Sequence, residues 1–304
     1  MITSRSVNAV LVFILASVSQ LLGTIFFGTK VAFGTINGLF NLSVIDSTQK
    51  LSIIVCAAML GAVSWNIITW LFAIPSSSSH ALIGGLIGPI VIQYGFGAVN
   101  RFGLLFSVLI PLFLSPIIGY IVGTFLFKVS RTLLGNRGRG ANTLVKWVQV
   151  VSSVLINAFQ GSNDAQKGIG VLALLVLSTG TGRLEISQKM IWYSALAISA
   201  GLVLGGLKMI RSVGTRIYNV RPLHSMSAQI SAASVIVFAS LLGFPISGTQ
   251  VVNSAVMGTG AADRPNAVGW AYAKSMLTAW VVTIPASFAL SSLFYFILNY
   301  FLGV

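Results

Sequence analysis

Long apolar segments constrain this chain more than any other feature. Of its 304 residues, 56% are hydrophobic and 7% are charged, whereas soluble domains carry roughly 25% charged residues. A helix of about 20 apolar residues crosses the roughly 30 Å hydrocarbon layer of a bilayer and satisfies its own backbone hydrogen bonds there. The sequence therefore predicts an all-α integral membrane protein with several crossings, in a plasma or inner membrane. The segments are 8–28, 51–73, 102–127, 147–178, 189–210, 226–243 and 267–300.

The charged residues are strongly biased towards Lys and Arg. Eighteen basic residues stand against four acidic ones, which gives a formal net charge of +14. Because the basic residues fall between the apolar segments, we attribute them to orientation in the membrane and not to nucleic-acid binding. The stretch 128–146 is interpreted as a basic cytoplasmic loop, and a vestibule that concentrates an anionic substrate is a less favoured interpretation. The two clusters are Lys128, Arg131, Arg137, Arg139 and Lys146, then Lys208, Arg211, Arg216 and Arg221.

An internal repeat divides the chain into two similar units. The stretch AIPSSSSHALIGGLIG at 73–88 aligns with GFPISGTQVVNSAVMG at 243–258, at a constant spacing of 170. Upstream, residues 21–36 resemble 203–218 at a slightly larger spacing. Such symmetry is typical of secondary transporters, whose repeats place broken helices at a common site near the membrane midplane.

The repeated motif predicts a helix that begins within the membrane. Proline lacks an N–H group and interrupts a helix, so Pro75 and Pro245 are expected to end one helix and introduce the next. The Ser and Thr residues after each proline are good N-caps, and the Gly-rich stretches that follow suit close packing. Free N–H groups, the helix dipole and hydroxyl groups together bind anions. The alternative is that each serine only caps its own helix.

A third motif places a carboxylate inside an apolar span. In FQGSNDAQKGIG at 159–170, Asp164 lies at membrane depth. A charged side chain there costs roughly 2.5–3.5 kcal/mol, so we expect Asp164 to have a function and a partner. An ion pair with Lys167 one turn on would be a purely structural role. Alternatively, Gly161, Gly168 and Gly170 would loosen the helix and free carbonyl oxygens, which with Asp164 could bind Na⁺ or carry a proton.

These motifs together resemble the inorganic phosphate transporter (PiT) family of Na⁺- or H⁺-coupled phosphate symporters. The resemblance covers nearly the whole chain and includes SWNIITW at 64–70 and the stretch 267–287. It implies a secondary transporter that imports phosphate and forms a homodimer in the lipid bilayer, with no cofactor other than the co-transported ion. It places phosphate at Ser77, Ser78, Ser79, Ser247, Thr249 and Gln166, and the coupling cation, such as Na⁺, at Asn163 and Asp164. Further candidates are His80, Lys167 and Gln250.

The resemblance also implies a division of the chain into two inverted repeats. Residues 1–127 would form the first repeat and 147–304 the second, with the basic loop 128–146 between them. The family carries the Asn-Asp motif in both halves, whereas the counterpart of residues 161–164 would precede Met1. We therefore expect the first repeat to be incomplete at its N-terminus, through a late start or a deletion, and a transport-inactive truncated form is one alternative.

Smaller departures from the family pattern replace titratable or hydroxyl groups. Gln160, Gln229 and Gln250 stand where the family more often has His, Glu and His, and Gly248 replaces a hydroxyl residue. Some members of the wider family carry sulfate, so a sulfate or related oxyanion permease is a second alternative. GSNDAQKGIG favours phosphate.

A membrane hydrolase is a competing class, because Ser, His and Asp are all present. The nucleophile-elbow pattern GxSxG is missing and a hydrolase gives no reason for the second copy of the motif, so we predict that the chain is not an enzyme. His80 would either contact phosphate or pack against a backbone carbonyl. His224, at the end of a basic loop, is expected to be solvated.

Overall fold

The computed structural model describes residues 9–41, 48–72, 74, 76–134, 139–178 and 185–302. Regular structure in this part of the chain is helical, apart from one isolated antiparallel bridge between Phe40 and Val99. The prediction of an all-α fold is confirmed. The helices are α1 (Ala9–Phe26), α2 (Lys30–Leu39), α3 (Thr48–Leu71), α4 (Ser78–Tyr94), α5 (Arg101–Gly103), α6 (Ile110–Leu134), α7 (Arg139–Val176), α8 (Gln188–Arg216), α9 (Pro222–Leu241), α10 (Gly248–Asp263) and α11 (Trp270–Leu302).

Several of these helices are suited to a bilayer. Four in the described part of the chain are long and apolar enough to cross a membrane, and the bent pair α1 and α2 would make a fifth crossing. Helix α5, the π-helical segment Leu104–Leu109 and α6 follow one another without a break and count as one of the four. The other three are Lys50–Leu71, Pro222–Leu241 and Trp270–Leu302.

The first apolar segment, predicted over 8–28, is helix α1, and a second helix that was not predicted follows it after a bend. Helix α1 ends at Phe26, Gly28 has a φ of 80°, and α2 continues after a bend of 71°. Glycine adopts a positive φ without steric cost, so the chain turns at this residue. The start of α2 at Lys30 is a helix N-terminus that sequence analysis missed.

The two predicted mid-chain helix starts are present. Helix α4 follows Ser77 and α10 follows Ser247, and both N-cap residues have an extended backbone. Pro245 lies in the connection before α10, and Pro75 lies outside the described residues. Each short helix is followed by a 3₁₀ turn and then by a long helix, so the order of elements repeats along the chain.

The short helices pack closely against long helices from the other half of the chain. Helix α4 lies against α11, and α10 lies against α6. A methyl group on Gly88 would lie 2.6 Å from the carbonyl oxygen of Phe288, and one on Gly258 would overlap the carbonyl oxygen of Tyr120. The absence of a side chain at both glycines permits these contacts, as expected for closely packed membrane helices.

Helix α7 runs without interruption through the Asn-Asp motif, so the expected loosening at its glycines is wrong. A Cβ on Gly161 would lie 2.7 Å from the Gln20 side chain in α1, and one on Gly170 would lie 3.1 Å from the Ala32 carbonyl oxygen in α2. These two glycines admit neighbouring helices, and packing keeps α7 intact. The side chains of Asp164 and Lys167 consequently share one face of a regular helix.

The segment predicted as a basic loop over 128–146 is largely helical. Helix α6 continues to Leu134 and α7 begins at Arg139, while residues 135–138 lie outside the described part of the chain. Lys and Arg are good helix formers, and helices can extend beyond the apolar layer into water. The prediction of a loop was therefore wrong for most of this segment.

Candidate anion-binding site

The starts of α4 and α10 meet in the folded chain. The Ser77 hydroxyl donates a hydrogen bond of 3.0 Å to Ser247 Oγ, although the two residues are 170 positions apart. Both serines are buried, and Ser247 Oγ also lies 3.2 Å from Thr249 Oγ1. Ser77 further accepts a bond from the backbone N–H of His80, as an N-cap does. Two helix N-termini and their hydroxyl groups thus adjoin one another.

Lys167 connects α7 to both of these starts. Its ammonium group donates to Ser79 Oγ at 2.5 Å, to Asp164 Oδ1 at 2.6 Å and to the Ile246 carbonyl oxygen at 2.8 Å. Ser79 in turn donates to the same carbonyl oxygen at 3.1 Å. The Lys167 side chain is only 3% exposed, whereas that of Asp164 is 24% exposed. The ion pair that sequence analysis weighed as a structural role is therefore present.

Asn163 holds the connection between α9 and α10. Its amide nitrogen donates to Ser240 Oγ and to the Phe244 carbonyl oxygen, both at 3.1 Å. Its amide oxygen accepts a bond of 3.3 Å from the Ile246 backbone N–H. Both polar atoms of the side chain are engaged, so Asn163 fixes the segment that leads into α10.

Gln166 forms a hydrogen bond to a third helix start, that of α2. Its amide oxygen accepts a bond of 2.8 Å from the Val31 backbone N–H, and its amide nitrogen donates to Ser162 Oγ at 2.7 Å. Because Thr29, the N-cap of α2, forms no cap bond through its side chain, Gln166 supplies an acceptor from another helix. The described hydrogen bonds of Gln166 join it to α2 and not to the serines at the starts of α4 and α10.

His80 and Gln250, also 170 residues apart, lie against each other in the first turns of α4 and α10. The His80 ring is fully buried and its Nδ1 lies 2.9 Å from the Trp280 carbonyl oxygen, which can only accept a hydrogen bond. The Gln250 amide nitrogen lies 3.4 Å from His80 Nε2, and its amide oxygen is buried without a partner in the described part of the chain. A histidine bonded to a backbone carbonyl is one of the two alternatives that the sequence left open.

Two of the departures from the family pattern lie side by side. A Cβ added to Gly248 would be 2.6 Å from Cδ of Gln160, so the Gln160 side chain fills the space that a residue 248 side chain would need. Gln229 lies elsewhere and accepts a bond of 3.0 Å from Ser152 Oγ. The pairing of Gln160 with Gly248 could not be seen in the sequence, because the two residues belong to different helices.

A separate polar cluster surrounds Asp263 at the C-terminal end of α10. Arg131 pairs with it at 3.0 Å, the Tyr218 hydroxyl donates at 2.9 Å, and His224 Nε2 lies at 3.2 Å. Burial opposes the charged form of Asp263, but these donors outweigh it, so the pKa of the carboxyl lies below its ordinary value. His224 is 3% exposed and stacks on Phe127, so the prediction that it is solvated was wrong.

The chain is similar in sequence to known phosphate transporters. The phosphate transporter family matches residues 1–291. A probable low-affinity inorganic phosphate transporter of Bacillus subtilis is 37% identical over 251 residues, which is 82% of this chain and 75% of that protein. One of Rhizobium meliloti with the same description is 34% identical and covers 90% of this chain and 80% of that protein.

A solved structure described as the sodium-dependent phosphate transporter has the same fold. It superposes with a TM-score of 0.89 at 22% identity, and covers 98% of this chain and 92% of that chain. Together with the apolar helices, the family match and the curated relatives show a multi-pass membrane protein of the transporter class and not an enzyme. The chain belongs to the phosphate transporter family.

Proposed function

We propose that this chain imports inorganic phosphate by symport with Na⁺ or H⁺. The observation that carries the proposal is the meeting of the α4 and α10 starts, at which Ser77 and Ser247 are hydrogen-bonded. Each start offers backbone N–H groups, the positive end of a helix dipole and hydroxyl donors, a combination that binds phosphate. The relatives that bear phosphate transporter names support phosphate as the anion.

We propose that phosphate binds between the serines of the two starts. The Ser78 and Thr249 side chains are exposed, so their hydroxyls are accessible to a ligand. Ser77, Ser79 and Ser247 are buried and bonded to one another or to the Ile246 carbonyl oxygen, so phosphate would replace those hydrogen bonds. The bond from the Val31 backbone N–H gives the Gln166 amide a role at α2, and its contact with phosphate stays a prediction.

We further propose that the two halves are inverted repeats related by an axis that passes between the starts. In a two-fold arrangement, equivalent residues contact each other only near the axis. Ser77 contacts Ser247 and His80 contacts Gln250, and both pairs have the 170-residue spacing of the repeat. The common site would then lie near the midplane, as in other transporters built from repeats.

A co-transported cation follows from the cost of moving phosphate alone. Each negative charge moved into a cell that is negative inside costs about 2.3 kcal/mol per 100 mV. Asp164 brings a carboxylate into contact with the proposed anion site through Lys167, and Ser79 bonds to the same ammonium group. Asn163 and Asp164 are the proposed cation-coupling residues.

The test is uptake of radiolabelled phosphate into proteoliposomes, with an inward Na⁺ gradient, a pH gradient or neither. We expect gradient-driven uptake that a tenfold excess of sulfate does not inhibit. Ser247→Ala should weaken uptake, while Ser234→Ala, an exposed serine on α9, should leave it unchanged. Inhibition by sulfate equal to that by unlabelled phosphate would favour the oxyanion permease, and folded protein without uptake under any gradient would contradict the proposal.

A further inference from the structure

The Lys167 ammonium group occupies an oxygen cage built from three parts of the chain. The cage consists of a hydroxyl from α4, a carboxylate from α7 and a backbone carbonyl just before α10, belonging to Ser79, Asp164 and Ile246. All three oxygens lie 2.5–2.8 Å from Nζ. Carboxylates and unwound backbone carbonyls at broken helices are the oxygen ligands that transporters use for Na⁺.

The Lys167 ammonium group forms a hydrogen bond to every oxygen of the cage. An ammonium group has three N–H donors, and each has a partner here. The side chain is 3% exposed, so Nζ would have to leave three hydrogen bonds for another cation to enter. A second positive charge at the same place would meet direct repulsion, which is strong where water is excluded.

The neighbouring oxygen ligand expected from the sequence is also engaged. The Asn163 amide oxygen accepts a hydrogen bond from the Ile246 backbone N–H, and its nitrogen bonds to Ser240 and Phe244. A Na⁺ ion at Asn163 and Asp164 would therefore need to displace both an ammonium group and a backbone donor. The residues present do not fit a free Na⁺ at this place.

We infer that Lys167 is a tethered cation that takes the place of Na⁺ at Asp164, and that phosphate binding by this chain needs no Na⁺. The inference rests on the proposed function and specifies its coupling. The positive charge beside the α4 and α10 starts is part of the chain, so the site is complete for an anion without a free metal cation. Of the two ions proposed to drive symport, Na⁺ and H⁺, the inference therefore selects H⁺.

The inference is tested by equilibrium binding of phosphate to the purified 304-residue chain, in NaCl and in choline chloride. The unaltered chain should have dissociation constants within about twofold in the two salts. Lys167→Ala frees the cage oxygens, so its dissociation constant in choline should rise at least about tenfold and return towards the unaltered value in NaCl. Lys274→Ala, an exposed lysine on α11, is the matched control and should behave like the unaltered chain.

Several outcomes would overturn the inference. One is a loss of binding, tenfold or more, when Na⁺ is removed from the unaltered chain, a result that does not depend on the folding of any variant. Another is Lys167→Ala with equal affinity in the two salts. Lys167→Gln provides a second variant of similar length if the alanine protein does not fold, with the same expected dependence on Na⁺. Absence of phosphate binding by the unaltered chain in both salts would instead contradict the proposed function itself, and the inference with it.

Discussion

The starts of α4 and α10 are equivalent in the repeat but are stabilised differently. At α4, Ser77 accepts a bond from the His80 N–H within its own turn. At α10, Ser247 forms no such cap bond, and the segment before it is held by Asn163 and Lys167 from α7. The α4 start thus has a cap bond of its own besides the bond from Lys167 to Ser79, whereas the α10 start has no side-chain cap bond and is held by two residues of α7. Changes at Asn163 should therefore act mainly through α10, whereas changes at Lys167 should act on both starts.

The largest effect is expected when the support from α7 is broken. Asp164→Asn leaves the buried Lys167 ammonium without its counter-charge, and we expect a loss of about 3 kcal/mol in the free energy of unfolding, because an uncompensated buried charge is costly. Combining Asp164→Asn with Lys167→Met should restore part of this loss. Denaturation of the purified proteins in detergent measures both, and a double variant less stable than Asp164→Asn alone would contradict the ion pair as the cause.

The second largest effect should be a loss of stability of similar size in the two short helices, because both pack through a glycine against a long helix. Gly88→Ala and Gly258→Ala each place a methyl group against a backbone carbonyl of a long helix, and overpacking of this kind costs about 1–3 kcal/mol. Gly201→Ala is the control, since a Cβ there meets nothing within 4 Å. The melting temperatures of the three variants test this, and equal stability of Gly258→Ala and Gly201→Ala would show that α10 does not pack as described.

A smaller difference in stability is expected between alanine variants of the two N-cap residues, Ser77 and Ser247. Ser77→Ala removes an N-cap bond and should cost about 1 kcal/mol of stability, whereas Ser247→Ala should cost less because its side chain forms no cap bond. The same denaturation measurements apply. Equal losses in the two variants would mean that the starts do not differ in the way their contacts indicate.

The smallest effect concerns the far ends of the short helices. Asp263 ends α10 and is held by donors, while its equivalent in α4, Gln93, bonds to Tyr295. Because the pKa of Asp263 is lowered in the folded state, its contribution to stability is present above its unfolded pKa and is lost as the pH falls through the folded value. Unfolding measured from pH 7 down to about pH 3 should show a loss in the unaltered chain that is reduced in Asp263→Asn. An identical loss in both would exclude Asp263 as its source.

The sequence predicted the helix starts because their signals are local. A proline followed by Ser or Thr and a Gly-rich stretch can be recognised within one window, and its repetition at 170 residues singled out Ser77 and Ser247. The break at Gly28 was missed because only a few residues separate two apolar helices there. The glycines of α7 were misinterpreted, since the helices that pack against Gly161 and Gly170 come from distant parts of the chain.

The contacts of the site could not be predicted, because they join residues far apart in sequence. Lys167 bonds to Ser79 and to Ile246, which are 88 and 79 positions away. A sequence shows that Lys167 lies one turn from Asp164 but not that its other two donors reach both helix starts. Likewise, the contact between Gln160 and Gly248 is seen only when α7 and α10 are packed together.

The central claim is that the α4 and α10 starts form one phosphate site. Its most direct test is the phosphate affinity of Ser77→Ala, Ser247→Ala and the double variant, measured by isothermal titration calorimetry. Each single variant should bind phosphate about tenfold more weakly, because each loses a hydrogen bond to a charged ligand. The double variant should lose less than the product of the two effects, because the two hydroxyls contact each other and the same ligand. Unchanged affinity in Ser247→Ala, with a full loss in Ser77→Ala, would show that α4 alone binds the anion and would contradict the account.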